Sequence, residues 1–336
     1  MTVPSTAQQV AAHLMRTGKT ASGAALASQL GVSRAAIHKA VEVLRAQGFG
    51  IHAVAGEGYT LGSVPDVLLA EVVVPRLAPE SLGHGGWDHH AVLESTNTRA
   101  AELARAGAVH GTVVVAESQT AGRGRRGRSF VSPPGTGIYL SVVLRPAIHP
   151  SQAFRLTVCG ALAVVDACLK EGLAARVKWP NDVYAHGKKL CGVLAEMHAD
   201  MERIHHAILG IGVNVNTPVA AFGPEVASLA SSVAVLLGRP VDRVAFCANL
   251  LAALTTWYNA ALRDFPAVVA AARTHSMTLG TQVAVLDGER RYEGFAEDLD
   301  EDGALLVVTP DGTRRVVAGD VEPVGGAVGG HAGPRG

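Results

Sequence analysis

The chain of 336 residues predicts an α+β protein of several domains. These are an N-terminal winged helix-turn-helix over 1–64, a central mixed or antiparallel sheet with helices over 65–274, and a small β-barrel over 275–324. Three observations predict it. The first stretch carries three capped helical periods and a hairpin. The middle carries strands that follow one another without an intervening helix, which argues against a doubly wound parallel sheet. The end carries five short strands separated by Asp-Gly turns. Composition changes at GSVPD (62–66) and THSMTLG (274–280). The Gly-rich tail, 325–336, has almost nothing to bury and is expected to be disordered.

In the first unit, Ser5 and Gln8 form a capping box for a helix that ends near Gly18. Ser22 caps a second helix, stopped by Gly31. Ser33 caps a third, in which Ile37, Val41 and Leu44 share one apolar face, and Gly48 closes it. FGIHAVAGEGYTL then reads as two strands about a Gly-Glu-Gly turn. Through residue 62, Arg16, Lys19, Arg34, Lys39 and Arg45 outweigh Glu42 and Glu57, a local charge of +3 in a chain of net charge 0. Arg34, His38 and Lys39, just after the Ser33 cap, occupy the part of the third helix that meets base edges in such domains. A small helical interaction domain with an ordinary solvated face is the competing reading.

In the middle unit, 112–116, 138–144, 176–180, 190–197 and 206–215 read as strands; 98–107, 153–172 and 241–262 read as helices. Lys plus Arg (29) equals Asp plus Glu (29), so any nucleic-acid contact must come from a local patch. The cysteines (Cys159, Cys168, Cys191, Cys247) form no CxxC pair and suit a reducing compartment as small buried hydrophobes. No run reaches the roughly eighteen apolar residues of a membrane span, and no signal peptide is legible at the N-terminus. A cytoplasmic protein without membrane contact is expected.

Four segments carry chemistry. TAGRGRRGRSF (120–130) alternates glycine with arginine, the side chain suited to bidentate contact with carboxylate or phosphate. Three readings stay open: a loop disordered until it folds over an anionic ligand, a nucleic-acid tract, or a solvated loop. Phe130 alone offers a stacking surface nearby. In VKWPNDVYAHGKKLCGVLAE (177–196), Lys178 projects a point charge into a pocket and Gly192 admits a ligand, or Lys178 merely snorkels beside a Pro-Asn-Asp turn. ESTNTRAAELARAG (94–107) supplies Ser95, Thr96 and Asn97 at a helix start, with Asn97 as its N-cap and free N–H groups suited to a ureido or carboxylate group. In ILGIGVNVN, Gly210 and Gly212 leave strand backbone open, and Asn214 and Asn216 are amide readers.

Together and in this order, EST-N, AESQTAGRGRRGR, KWPND, KKLCGVLAE and GIGVNVN closely resemble the biotin protein ligases. The N-terminal GVSRAAIHKAVEVLRAQGFGIHAVAGEGYTL resembles the winged helix of the bifunctional kind, which also represses biotin-synthesis genes. The resemblance runs from about residue 8 to 323, and GRGRRGR and KWPND are its specific parts, absent in this form from lipoate ligases. It implies a class II synthetase-like catalytic domain and an SH3-like C-terminal barrel. It implies that biotin and ATP, with Mg²⁺, give biotinyl-5′-AMP, and that biotin then passes to one lysine of a biotin carboxyl carrier protein domain. Biotinyl-5′-AMP would also be corepressor, favouring a homodimer on the operator DNA of biotin genes.

By motif match, Lys178 and Arg125 are catalytic. Ser95, Thr96, Asn97, Gln119, Arg123, Gly124, Arg125, Lys178 and Gly192 would bind biotin. Gly122, Arg123, Arg125, Arg128, Lys178, Lys189 and Asn214 would bind ATP or the adenylate. Ser33, Arg34, His38 and Lys39 would meet DNA, and Asp182 is a weak candidate for arranging Mg²⁺. Phe130 stands where many members have tryptophan, and no adenine-stacking residue is legible in 217–226. A ligase with a vestigial winged helix and a biotin sensor without transfer activity are the alternatives.

Overall fold

The computed structural model describes residues 5–54, 56–287, 290–317 and 319–324. The tail expected to be disordered, 325–336, lies outside the described residues.

The N-terminal unit follows its caps. Helices α1 (Thr6–Thr17), α2 (Gly23–Leu30) and α3 (Arg34–Ala46) start at Ser5, Ser22 and Ser33. Ser5 Oγ accepts from Gln8 N at 3.1 Å, while Gln8 Oε1 accepts from Ser5 N at 2.7 Å. Gly18 and Gly31 end the first two helices at φ of 59° and 66°, where a Cβ would be strained. Val10, Leu14, Leu26, Ile37, Val41 and Leu44 are fully buried together. An antiparallel pair, β1 (Gly50–Val54) and β2 (Gly58–Ser63), forms the wing. Ser33, Arg34, His38 and Lys39 are all exposed on α3.

The linker and the short helix α4 (Ala70–Val73) lead into a seven-stranded sheet. Its strands are β3 (Gly86–His90), β4 (Thr112–Ala116), β5 (Ile138–Leu144), β6 (Arg176–Lys178), β7 (Asp182–Ala185), β8 (Lys188–Ala199) and β9 (Ile204–Val213). The order is β3-β4-β5-β9-β8-β7-β6. Only β3 and β4 run parallel; the other neighbours are antiparallel. Helix α5 (Thr96–Arg105) covers one face, where Val114, Val143 and Ile208 meet Ala100 and Ala104. The alternate residues Val113, Val115 and Val142 point the other way, into the main core, as the two-residue period of a strand requires. That core holds α6 (Phe154–Lys170) and, after the short α7 (Gly223–Ala227) and α8 (Val233–Leu237), the long α9 (Arg243–Arg263) and α10 (Phe265–Thr274). With its preceding turn, α6 is long and apolar enough to cross a membrane by composition. Its apolar side chains are buried against α9, β8 and β9 instead.

The C-terminal strands β10 (Gln282–Asp287), β11 (Arg290–Leu299), β12 (Leu305–Thr309), β13 (Gly312–Val316) and β14 (Asp320–Pro323) form one antiparallel sheet, ordered β13-β12-β11-β10-β14. The strands β3 and β7 and the helix α10 carry no signal strong enough to read from sequence. GWDHH and DVYA are too short to show a period, and α10 follows α9 after a single residue, Asp264, which caps it.

One buried cation ties the units together. Arg243, at the start of α9, is fully buried. It donates from Nε to both Asp66 carboxylate oxygens at 3.1 and 3.2 Å and from Nη2 to Asp66 O at 2.6 Å. From Nη1 it donates to Glu117 Oε2 and to Gly137 O, each at 2.9 Å. The linker between the winged helix and the sheet is thereby pinned beside β4 and β5.

Candidate active site

A cavity forms where the start of α5, the β4–β5 loop, strands β6 to β9 and the end strand β14 converge. Its neutral end is a closed hydrogen-bond set. Thr96 donates to Gln119 Oε1 from N at 2.8 Å and from Oγ1 at 3.2 Å, and Gln119 Nε2 donates to Ser132 Oγ at 3.0 Å. Helix α5 starts at Thr96 with Ser95 as its N-cap residue, and Ser95 makes no side-chain cap bond. The expected N-cap, Asn97, therefore sits inside the helix. Its amide has a tertiary role that outcompetes capping: Nδ2 donates to Glu196 Oε2 at 2.7 Å and Oδ1 accepts from Ser141 Oγ at 2.6 Å. Ser95, Thr96 and Asn97 are each nearly fully buried.

The strand glycines are sterically required here. A Cβ on Gly210 would stand 2.0 Å from Asn97 Oδ1, and one on Gly212 would stand 2.8 Å from the Phe130 ring. Neither distance is tolerable, so the floor of the cavity is bare backbone. Gly192 differs. A Cβ there would meet Asp182 and Lys189 only at 3.7 Å, so this chain leaves space at that point. Phe130 also lies edge-on to Tyr139, ring centroids 6.3 Å apart.

The charged end is built by the arginine loop and by β6 to β8. The loop stands folded: Gly124 N donates to Arg128 O at 2.7 Å and Phe130 N to Gly122 O at 2.8 Å. Arg125 donates from Nη1 to Asn181 Oδ1 at 2.9 Å and from Nη2 to Gly319 O at 3.0 Å. Arg123 Nη1 lies 3.5 Å from Glu196 Oε1. Lys189 Nζ is paired with Asp182 Oδ2 at 2.6 Å. Lys178 has no carboxylate in salt-bridge reach among the described residues; its Nζ lies over the Tyr184 ring, 5.8 Å from the centroid. Burial pushes Lys178 below the usual lysine range, against the opposing pull of Asp182 and Glu322. Burial likewise pushes Arg125 down, against Asp320 and Asp182. Partly desolvated cations of this kind gain most from an anionic ligand.

Of the sequence-read candidates, Ser95, Thr96, Asn97, Gln119, Arg123, Gly124, Arg125, Arg128, Lys178, Asp182, Lys189 and Gly192 line this one cavity. Gly122 and Asn214 stand outside the lining. Gly122 is held against Phe130 O, which a Cβ would approach to 2.5 Å, so it shapes the loop hairpin. Asn214 is buried behind the cavity. It donates from Nδ2 to Ser231 O at 3.2 Å, and its Oδ1 is buried without a hydrogen-bond partner. Reading the sequence missed Ser141, Asn181, Glu196, Asp320 and Glu322. A serine midway along the apolar IYLSVVL was one local signal, and Asn181 in KWPND and Glu196 in KKLCGVLAE stood inside motifs already singled out; Asp320 and Glu322 become meaningful only through tertiary contact.

Three family models match the chain. The biotin/lipoate A/B protein ligase family matches residues 90–214, an HTH domain 6–60, and the biotin protein ligase C terminal domain 278–322. The bifunctional ligase/repressor BirA of Bacillus subtilis is 34% identical over 303 residues, covering 90% of this chain and 93% of the relative. The biotin–[acetyl-CoA-carboxylase] ligase of Mycobacterium tuberculosis is 36% identical over 261 residues, covering 73% and 93%. The biotin protein ligase of Aquifex aeolicus, solved with biotin and ATP, superposes with a TM-score of 0.60 at 28% identity, covering 70% of this chain and 97% of that one. The Bacillus subtilis relative covers nine-tenths of the chain, and the three family models fall in turn on the winged helix, the sheet and the C-terminal strands. The cavity is lined by residues that the ligase model matches and by Asp320, Val321 and Glu322 from the C-terminal one. The chain belongs to the biotin protein ligase family.

Proposed function

We propose that this protein joins biotin to ATP as biotinyl-5′-AMP, transfers the biotin to a lysine of a biotin carboxyl carrier protein domain, and represses biotin genes through its winged helix. One observation carries the ligase reading: a single cavity has a buried neutral hydrogen-bonding end and an end of desolvated cations, with bare strand backbone between. That is the shape for a long ligand with a neutral polar head and a carboxylate that meets a phosphate.

In the first step a biotin carboxylate oxygen attacks the α-phosphorus and pyrophosphate leaves. Negative charge gathers on the α-phosphate, and Lys178 with Arg125 stabilises it from fixed positions. Ser95, Thr96, Asn97 and Gln119 hold the ureido head. Gly192 and Gly124 let the ligand approach backbone, while Arg123, Arg128 and Lys189 complete the cationic wall. Asn214, outside the lining, braces the end of β9 through Ser231 O, and Gly122 fixes the loop. In the second step a carrier lysine amine attacks the acyl carbon, AMP leaves with the bond pair, and the amine loses its proton to solvent. A mixed anhydride hydrolyses in water, so the loop also excludes it. Mg²⁺ would arrive with the triphosphate. Asp182 is occupied by Lys189, which argues against a ligand role, and no step is assigned to a protein-held metal. The test is incubation with labelled biotin, ATP and a carrier domain: label on the carrier lysine is expected, and binding without transfer would leave a sensor.

Arg125→Gly removes the loop's clamp on Asn181 and Gly319 O. Adenylate should still form, and preformed biotinyl-5′-AMP should leave about tenfold faster, as expected for one lost charge-assisted contact. An unchanged off-rate would show that the loop is not a lid.

On the DNA side, one winged helix reads one half-site, and a palindrome needs two. Biotinyl-5′-AMP is therefore expected to promote both dimerisation and operator binding, and operator DNA should in turn strengthen the liganded dimer. Sedimentation with and without biotinyl-5′-AMP, then titration with DNA upstream of biotin genes, tests this. Equal DNA affinity in both states leaves a ligase with a vestigial winged helix.

A further inference from the structure

The arginine loop is anchored from outside its own domain. Asp320, the first residue of β14 in the C-terminal sheet, accepts from Arg128 Nη2 at 2.6 Å and has Arg126 Nη1 at 3.5 Å from the same carboxylate oxygen. Two carbonyls of that sheet add to it: Gly319 O accepts from Arg125 and Leu286 O from Arg126. The loop needs the help. Arg126 sits at φ 53°, ψ 39°, a left-handed conformation that a non-glycine residue keeps only where its surroundings impose it. Here the surroundings are β10, β14 and the turn before β14. Asp320 is about a quarter exposed, less than the two arginines it holds, and it lines the cavity alongside Glu322.

We propose that Asp320 is a positioning residue for adenylate retention: it fixes Arg126 and Arg128, and through them sets Arg125 against Asn181 at the cavity. The proposal rests on the ligase reading above and adds a role for the C-terminal sheet within it. Asp320 does not touch the reacting atoms. It neutralises Arg128 while holding the guanidinium where a phosphate can share it, so the loop is pre-ordered before the anion arrives. Because order is shared between the two bodies, a ligand that tightens the loop must also tighten the seating of β14.

The test uses the full chain. Wild-type protein forming biotinyl-5′-AMP from biotin and ATP establishes the underlying reading independently; if it fails, that reading fails and not this one. Off-rates of preformed biotinyl-5′-AMP are then measured for D320N, D320E, R128Q and the D320N/R128Q double variant. D320N should release adenylate about three- to tenfold faster, the range for one partly exposed charge pair acting on several contacts. D320E should restore most of the retention, and adding D320N to R128Q should cost clearly less than D320N alone, since residues acting through one contact are not additive. In hydrogen exchange, biotinyl-5′-AMP should slow the amides of 320–322 in the wild type and not in D320N. An unchanged D320N off-rate, full additivity with R128Q, or equal protection in both proteins overturns the proposal.

Discussion

Lys178→Ala is expected to lower the rate of biotinyl-5′-AMP formation by about 10²- to 10³-fold, the loss seen when one pre-placed group at a charged transition state is removed. The fold should survive. The neighbours that hold β6, Val177 and Trp179, are buried independently of the lysine head group, and Val177 pairs with both Val183 and Ser276. Lys178 is the right group to lose because, of the two cavity cations without a carboxylate in salt-bridge reach among the described residues, Arg125 already donates to Asn181 and Gly319 O while Lys178 lies only over the Tyr184 ring. Lys189 already spends its charge on Asp182, and Arg128 on Asp320. Pyrophosphate release in single turnover measures the effect directly. A rate within a few-fold of wild type would remove Lys178 from catalysis.

The caps and the arginine loop were legible because their signals are local. Ser5 with Gln8, or Gly18 and Gly31 at positive φ, need only a few neighbours to act, and the helices begin and end where those residues stand. The strands β4, β5, β6, β8 and β9 were legible as apolar runs, and their frequent succession without helices correctly implied a mixed or antiparallel sheet. Asn97 was misread for the same reason that the caps were read well. Its local chemistry is that of an N-cap, but Glu196, 99 residues away, and Ser141, 44 residues away, take its amide. Tertiary partners of that range leave no trace in a window of sequence. Asp320 and Glu322 were invisible on the same ground, since they lie in a different domain and reach the site only because β14 docks against the loop. Glu117, second in AESQTAGRGRRGR, was read as part of a motif but its partner Arg243 was not.

That pair supports the second large effect. Arg243→Met should cost roughly 3–5 kcal/mol of unfolding free energy at neutral pH, because it leaves Glu117 charged, buried and short of its cation. The same change strips the donors from Asp66 and Gly137 O, so the linker to the winged helix loosens along with the sheet. The pH dependence identifies the cause. Burial alone would raise the Glu117 carboxyl. Hydrogen bonds from His89 and the Leu68 N–H and the charge of Arg243 together overcome it and hold it below the usual range. A group held low in the folded state contributes stability that is present above its unfolded pKa and is lost as pH falls through its folded one. Without Arg243, its charge and its hydrogen bond no longer oppose burial, the folded pKa rises, and Glu117 contributes less stability for acid to remove. The gap between wild type and Arg243→Met in urea denaturation should therefore narrow as pH is lowered from about 4.5 downward, through the carboxylate range. A loss under about 1 kcal/mol would make the network a bystander, by the measure of an ordinary exposed pair. A large gap that stays constant across that range would assign the loss to packing around the vanished side chain, and not to the charge that it leaves behind.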